Sequence, residues 1–204
     1  AVDGTKEQEL INDENYYRTS DDNDYDNNPR IRATILSHMK AWTKIANSKL
    51  EYGLVFEDDI FFRSDGYFKR NWSNMESTIL TKSKFKKDPT IIYMGTGDVL
   101  PMHTNPPTET MLRAQEKAHA TQIINKCYGV PNMKSAYIFD WFGAFSYMIS
   151  PNTARYLLKQ SLDNPINKAV DVWLKDTFNG LNQRFTTVPL LTFHESYNLN
   201  KYDS

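Results

Sequence analysis

The chain has 204 residues, of which 40% are hydrophobic and 13% aromatic, and its formal net charge is −1. That composition excludes a disordered polymer, which cannot bury enough apolar surface to offset its ordering entropy, and a nucleic-acid binder that works through an overall basic field. With a single cysteine, Cys127, and no apolar run near the roughly 18 residues of a membrane span, the expectation is one domain over residues 1–204, soluble and in a reducing, cytoplasmic compartment.

In chain order, residues 13–28 contain DDNDYDNN and read as a solvated acidic loop, because Asp and Asn side chains compete with the backbone for hydrogen bonds. After Pro29, residues 30–47 place Ile31, Ile35, Met39, Trp42 and Ile45 at three- or four-residue steps, which predicts an amphipathic helix. Ser37 and His38 fall within it, and His38 reads as a hydrogen-bonded packing residue. Residues 54–56 predict a short buried strand, residues 68–80 a weaker helix, and residues 90–94 (TIIYM) a second strand followed at once by Gly95-Thr96-Gly97-Asp98. The pattern then loosens over residues 100–134, with a short helix expected at 109–120. His103 and His119 lie there without metal-ligand spacing.

Residues 136–149 (AYIFDWFGAFSYMI) are aromatic and β-prone. Ser150-Pro151 caps a helix to about residue 160, and a further helix spans 167–179 with Asp171 in its first turn. Residues 185–193 (FTTVPLLTF) predict a strand in which Pro189 demands an edge position or a break, and His194 follows directly. Strands alternating with helices in this way predict an α/β sandwich with functional loops at the carboxyl ends of its strands. The sequon Asn71-Trp72-Ser73 reads as accidental, since no basic-then-apolar leader opens the chain.

The chemical signal is GLVFEDDIFF at residues 53–62, where Glu57, Asp58 and Asp59 stand between two apolar runs. Adjacent carboxylates repel, so they sit in solvent or meet a cation, and the flanking apolar residues pin these to the rim of a core. Hard oxygen donors suit magnesium or manganese, with phosphate oxygens completing the coordination. Other chemistries lack their residues. Gly95-Thr96-Gly97 has no Lys-Ser/Thr pair for a phosphate-cradling loop, Cys127 has no partner for zinc, and no Gly-x-Ser-x-Gly elbow is present.

Seven stretches in this order carry a family resemblance: AVDG at the start, SH in the first helix, VFEDDI, IIYMG, FGAFSYMISPNTARYLL, VDVWL and VPLLTFHES. Together they resemble glycosyltransferase family 25, which includes lipooligosaccharide and collagen galactosyltransferases. The resemblance implies a single-domain GT-A fold, with a mixed, mostly parallel sheet flanked by helices. It also implies a metal held by an Asp-x-Asp-type motif, here Glu57-Asp58-Asp59. Asp59 is then the expected ligand of Mn2+ or Mg2+, Glu57 and Asp58 contact the ribose or sugar of a UDP-sugar donor, and His194 completes the metal sphere. Asp171 in VDVWL is the expected base for a glycan acceptor hydroxyl. Against that stands an ordinary helix-start carboxylate stabilised by the dipole. Asp140, beside Trp141-Phe142-Gly143, is a candidate for donor or acceptor contact, since aromatic faces pack on sugar rings. Family members usually carry a nucleotide-binding strand before the AVDG region, so residues preceding Ala1 are expected to complete the nucleotide site. Two alternatives stay open: a non-catalytic carbohydrate- or cation-binding module, and a metal-dependent phosphoester hydrolase.

Overall fold

A computed structural model describes residues 29–62, 68–69, 72–73, 76, 85, 87–95, 129–130, 133–135, 144–179, 181, 184–187 and 191–194. Their helices include α1 (Pro29–Ala46), α2 (Pro151–Asp163) and α3 (Val170–Thr177), and the described residues of the stretch expected to be a weaker helix, 68–69, 72–73 and 76, are helical too. The strands are β1 (Gly53–Phe56), β2 (Ile60–Phe62), β3 (Ile91–Tyr93), β4 (Gly129–Val130), β5 (Met133–Ser135), β6 (Ser146–Ile149), β7 (Arg184–Thr187) and β8 (Thr192–His194). The helices expected at 30–47, from Ser150-Pro151 to about 160 and at 167–179, and the strands expected at 54–56 and 90–94, are found within a few residues of their expected ends, and the β-prone stretch 136–149 ends in β6. The expected helix at 109–120 lies outside the described residues, as does the acidic loop at 13–28.

A six-stranded sheet runs β1-β6-β3-β7-β5-β4, and β2 pairs with β8 in a separate two-stranded sheet. Side-chain alternation divides the main sheet into two faces. Val55, Ile91, Tyr93, Tyr147 and Ile149 point into a core shared with Ile35, Met39 and Trp42 of α1, Leu157 of α2, and Trp173 and Leu174 of α3. On the opposite face Ile92, Met94 and Met148 meet Phe85 and Leu191, with Leu54, Phe56, Phe68, Trp72 and Phe185 packed around them. Being covered on both sides makes the inner strands continuously apolar, as in IIYM and SYMI. Fully burying a side chain such as Ile91 or Met148 stabilises the fold by roughly 1.5–3 kcal/mol before entropy is subtracted.

The start of α2 follows from its cap. Ser150 accepts the Thr153 N–H in its side chain, at 3.1 Å, and Pro151 occupies the first turn, where its missing N–H costs nothing. Thr153, fully buried, then hydrogen-bonds the Thr90 backbone through its hydroxyl, which ties the start of α2 to the entry of β3.

Three expectations change. Of the described pairings in the main sheet only β3 with β7 is parallel, and the β1–β6, β3–β6, β5–β7 and β4–β5 pairings are antiparallel. The chain is mixed α/β, but these strands are not mostly parallel, because β6 enters between β1 and β3 from the opposite direction. The strand expected over 185–193 is two strands in different sheets, β7 ending at Thr187 and β8 beginning at Thr192. Pro189 lies between them in sequence, outside the described residues. The loosely patterned stretch before residue 135 also contributes β4 and β5, strands too short to carry a recognisable alternation.

Candidate functional site

Strand direction brings four segments to one end of the main sheet. Phe56 pairs with Ser146, and Tyr93 pairs with both Tyr147 and Thr186, so the carboxyl ends of β1, β3 and β7 meet the amino end of β6. Two backbone hydrogen bonds continue the ladder past the strands: Glu57 N–H to Phe145 O at 2.8 Å and Met94 N–H to Ser146 O at 3.0 Å. Glu57 is therefore held by its main chain at the rim. Asp58 and Asp59 turn the chain from β1 into β2. Asp58 is exposed, whereas Asp59 is half-buried with its Oδ1 shielded from water.

The far end of the chain is docked onto the same rim. Met94 O accepts from both Leu191 N–H, at 2.7 Å, and Thr192 N–H, at 3.1 Å. The Ser146 and Thr192 hydroxyls also bond to each other. Gly95 permits this approach, since a Cβ there would lie 2.5 Å from Thr192 Oγ1 and 2.6 Å from Thr192 O. From Thr192 the chain runs antiparallel to β2 and places His194 opposite Ile60, the residue after Asp59. Asp59 and His194 thus share one corner of the fold, although they are 135 positions apart in sequence.

Asp171 sits in the first turn of α3, half-buried, with its Oδ1 accepting the Val172 N–H at 2.8 Å. That contact is what a helix-start carboxylate makes on its own account. Its charge also reaches the sheet. Burial pushes the Tyr93 phenol above its ordinary range, with Arg184 pulling it down and Asp171 adding to the rise. Tyr93 packs edge-on against Tyr147, their ring centroids 6.4 Å apart. Burial likewise raises the Tyr147 phenol well above its ordinary value, the Trp42 hydrogen bond opposing the shift and Tyr93 and Glu57 adding to it. Glu57 and Asp171 therefore act on two tyrosines in contact. Asp140 lies outside the described residues.

Reading the sequence missed a side chain that meets the acidic triplet. His38, on α1 and only 3% exposed, has its Nε2 3.1 Å from Glu57 Oε1 and its Nδ1 2.7 Å from the Tyr147 hydroxyl. It is the hydrogen-bonded packing residue expected, but its partner is a rim carboxylate. A signal was present: His38 shares the buried stripe of Ile35, Met39 and Trp42, and a polar ring on an apolar stripe requires a polar partner across the interface.

The donor set at the turn, carboxylate oxygens from Asp58 and Asp59, has the hard character that a magnesium or manganese ion takes. Among the described residues no group of three or more His, Cys, Asp or Glu side chains converges on one point. No helix among them is long and apolar enough to cross a membrane.

A family model described as glycosyltransferase family 25 (LPS biosynthesis protein) matches residues 32–174. That span begins in α1, ends in α3, and takes in His38, the Glu57-Asp58-Asp59 turn and Asp171. No curated protein matches the chain.

Proposed function

The chain belongs to glycosyltransferase family 25 and is a glycosyltransferase, and from that premise we propose that it moves a sugar from a UDP-sugar onto a hydroxyl of a glycan acceptor, with Mn2+ or Mg2+. One observation carries this reading: the acidic triplet stands where the carboxyl ends of β1, β3 and β7 meet, and the His194 strand is docked beside it. In open α/β sheets ligands bind at such strand ends.

In this reading Asp59, with His194, holds the metal, which when bound neutralises charge on the departing nucleoside diphosphate. Glu57 and Asp58 accept hydrogen bonds from hydroxyls of the donor's ribose or sugar. Asp140 contacts donor or acceptor. Asp171, in the first turn of α3, takes the proton from the acceptor hydroxyl.

The experiment is release of free nucleoside diphosphate from a panel of nucleotide sugars, with and without manganese and with and without glycan acceptors. The expected result is release from a uridine-linked donor that needs the metal and rises with acceptor. Equal release without any acceptor identifies a hydrolase, and binding without release identifies a non-catalytic module. Asp171→Asn should retain donor binding and slow transfer. Loss of donor binding and fold together would make Asp171 structural.

A further inference from the structure

The main chain fixes where Glu57 stands, but its carboxylate needs a separate constraint. The side chain is 27% exposed, and at that exposure a glutamate ordinarily samples several rotamers. Here its Oε1 meets His38 Nε2 at 3.1 Å. The imidazole is itself held on two sides. It stacks on the Tyr147 ring, centroids 5.7 Å apart and planes 12° from parallel, and its Nδ1 lies 2.7 Å from the Tyr147 oxygen. That oxygen also lies 2.7 Å from Trp42 Nε1. Trp42 and Tyr147 are both fully buried, so water cannot substitute for any of these partners.

The proton positions follow from one group that can only donate. An indole N–H has no acceptor capacity, so Trp42 gives its hydrogen bond to the Tyr147 oxygen. Buried as it is, the phenol stays protonated, and its own hydrogen goes to the remaining neighbour, His38 Nδ1. The imidazole then carries its proton on Nε2, aimed at Glu57 Oε1. The sequence Trp42 to Tyr147 to His38 to Glu57 is a chain of hydrogen bonds running in a single direction, from the helix-covered core to the rim. Each member polarises the next.

We propose that Trp42, Tyr147 and His38 are positioning residues that lock the Glu57 carboxylate, committing Oε1 to the protein and presenting Oε2 to a hydroxyl of the nucleotide-sugar donor. This rests on the reading that Glu57 contacts the donor. Its consequence is that removing a single oxygen from the core, out of reach of any ligand, changes donor affinity. A histidine that only fills space would not transmit such a change.

The test compares Tyr147→Phe, Trp42→Phe, His38→Leu and His38→Gln with Glu57→Ala, reading donor KM and kcat separately alongside thermal unfolding. One relayed hydrogen bond is worth about 1 kcal/mol, so Tyr147→Phe and His38→Leu should raise donor KM by about 5- to 10-fold with kcat little changed. His38→Gln, whose amide still offers an N–H to Glu57, should recover most of that loss. Trp42→Phe provides the same information if Tyr147→Phe does not fold. Imidazole 15N shifts of the ligand-free protein give an independent readout: Nδ1 bare and Nε2 protonated in the parent, with that preference lost in Tyr147→Phe. Unchanged KM in both Tyr147→Phe and His38→Leu, while Glu57→Ala raises it, overturns the relay. If Glu57→Ala itself leaves donor KM unchanged, the assignment of Glu57 to the donor fails first and the relay falls with it.

Discussion

The two faces of the main sheet are built from the same strands and do different work. On the face under α1, α2 and α3, alternate positions include Tyr147, whose hydroxyl brings polar chemistry into the core and obliges Trp42 and His38 to satisfy it. On the other face the same strands present Ile92, Met94 and Met148 to Phe85 and Leu191, a surface whose shape matters and whose chemistry does not. Both faces bury apolar side chains, and the one under the helices also carries a line of hydrogen-bonded groups that ends at Glu57 on the rim. Period-two alternation is what keeps them separate, since a one-residue slip in β6 would exchange Tyr147 with Met148.

The largest effect expected is at the rim that the helix-covered face serves. Asp59→Asn should lower glycosyl transfer by at least about 100-fold and weaken donor binding, with little change in unfolding temperature, because it removes one of three crowded charges. Normal transfer in that variant would remove the metal assignment. Met148→Ala is the counterpart on the apolar face. It should cost about 2–5 kcal/mol in urea unfolding, and leave kcat and donor KM of the folded fraction unchanged. A changed KM there would show that the faces are coupled.

Gly95→Ala probes the junction where the faces meet the docked strand. The added Cβ would press on Thr192 Oγ1 and on its carbonyl oxygen, and the backbone must give way. The expected cost is about 1–3 kcal/mol, with a larger loss of activity than Met148→Ala because the displaced strand carries His194. Equal activity in the two variants would separate β8 from the site.

The smallest effect is alkaline. Tyr93 and Tyr147 have folded-state values above the ordinary phenol value of 10.0, so the unfolded chain releases these protons first as pH rises. Their contribution to stability is complete below about pH 10 and is lost as pH climbs from there through the folded values, at up to about 1.4 kcal/mol per unit for each group. Urea midpoints should fall above that pH, and fall less steeply in Tyr93→Phe. An unchanged slope in that variant would mean that Tyr93 is not among the groups responsible; Tyr52, packed against the opposite face with its phenol raised to about 12, adds to the same fall.

Much of this protein was legible in its residues alone. Apolar spacing gave α1, the cap at Ser150-Pro151 gave α2, and the β-prone runs gave β1, β3 and β6, because helical and strand periods are local properties written into a dozen neighbouring side chains. The triplet at 57–59 declared its chemistry through charge held against apolar flanks, and the ordered motifs were enough to suggest the family that residues 32–174 match. Sheet order, the antiparallel entry of β6, the division of residues 184–194 between two sheets, and the register that sets His194 opposite Ile60 were decided in three dimensions. So was the bond between His38 and Tyr147, 109 positions apart. Such contacts depend on which strands become neighbours, and that choice is made by the whole core as it packs, through burial energy that no short window of sequence contains.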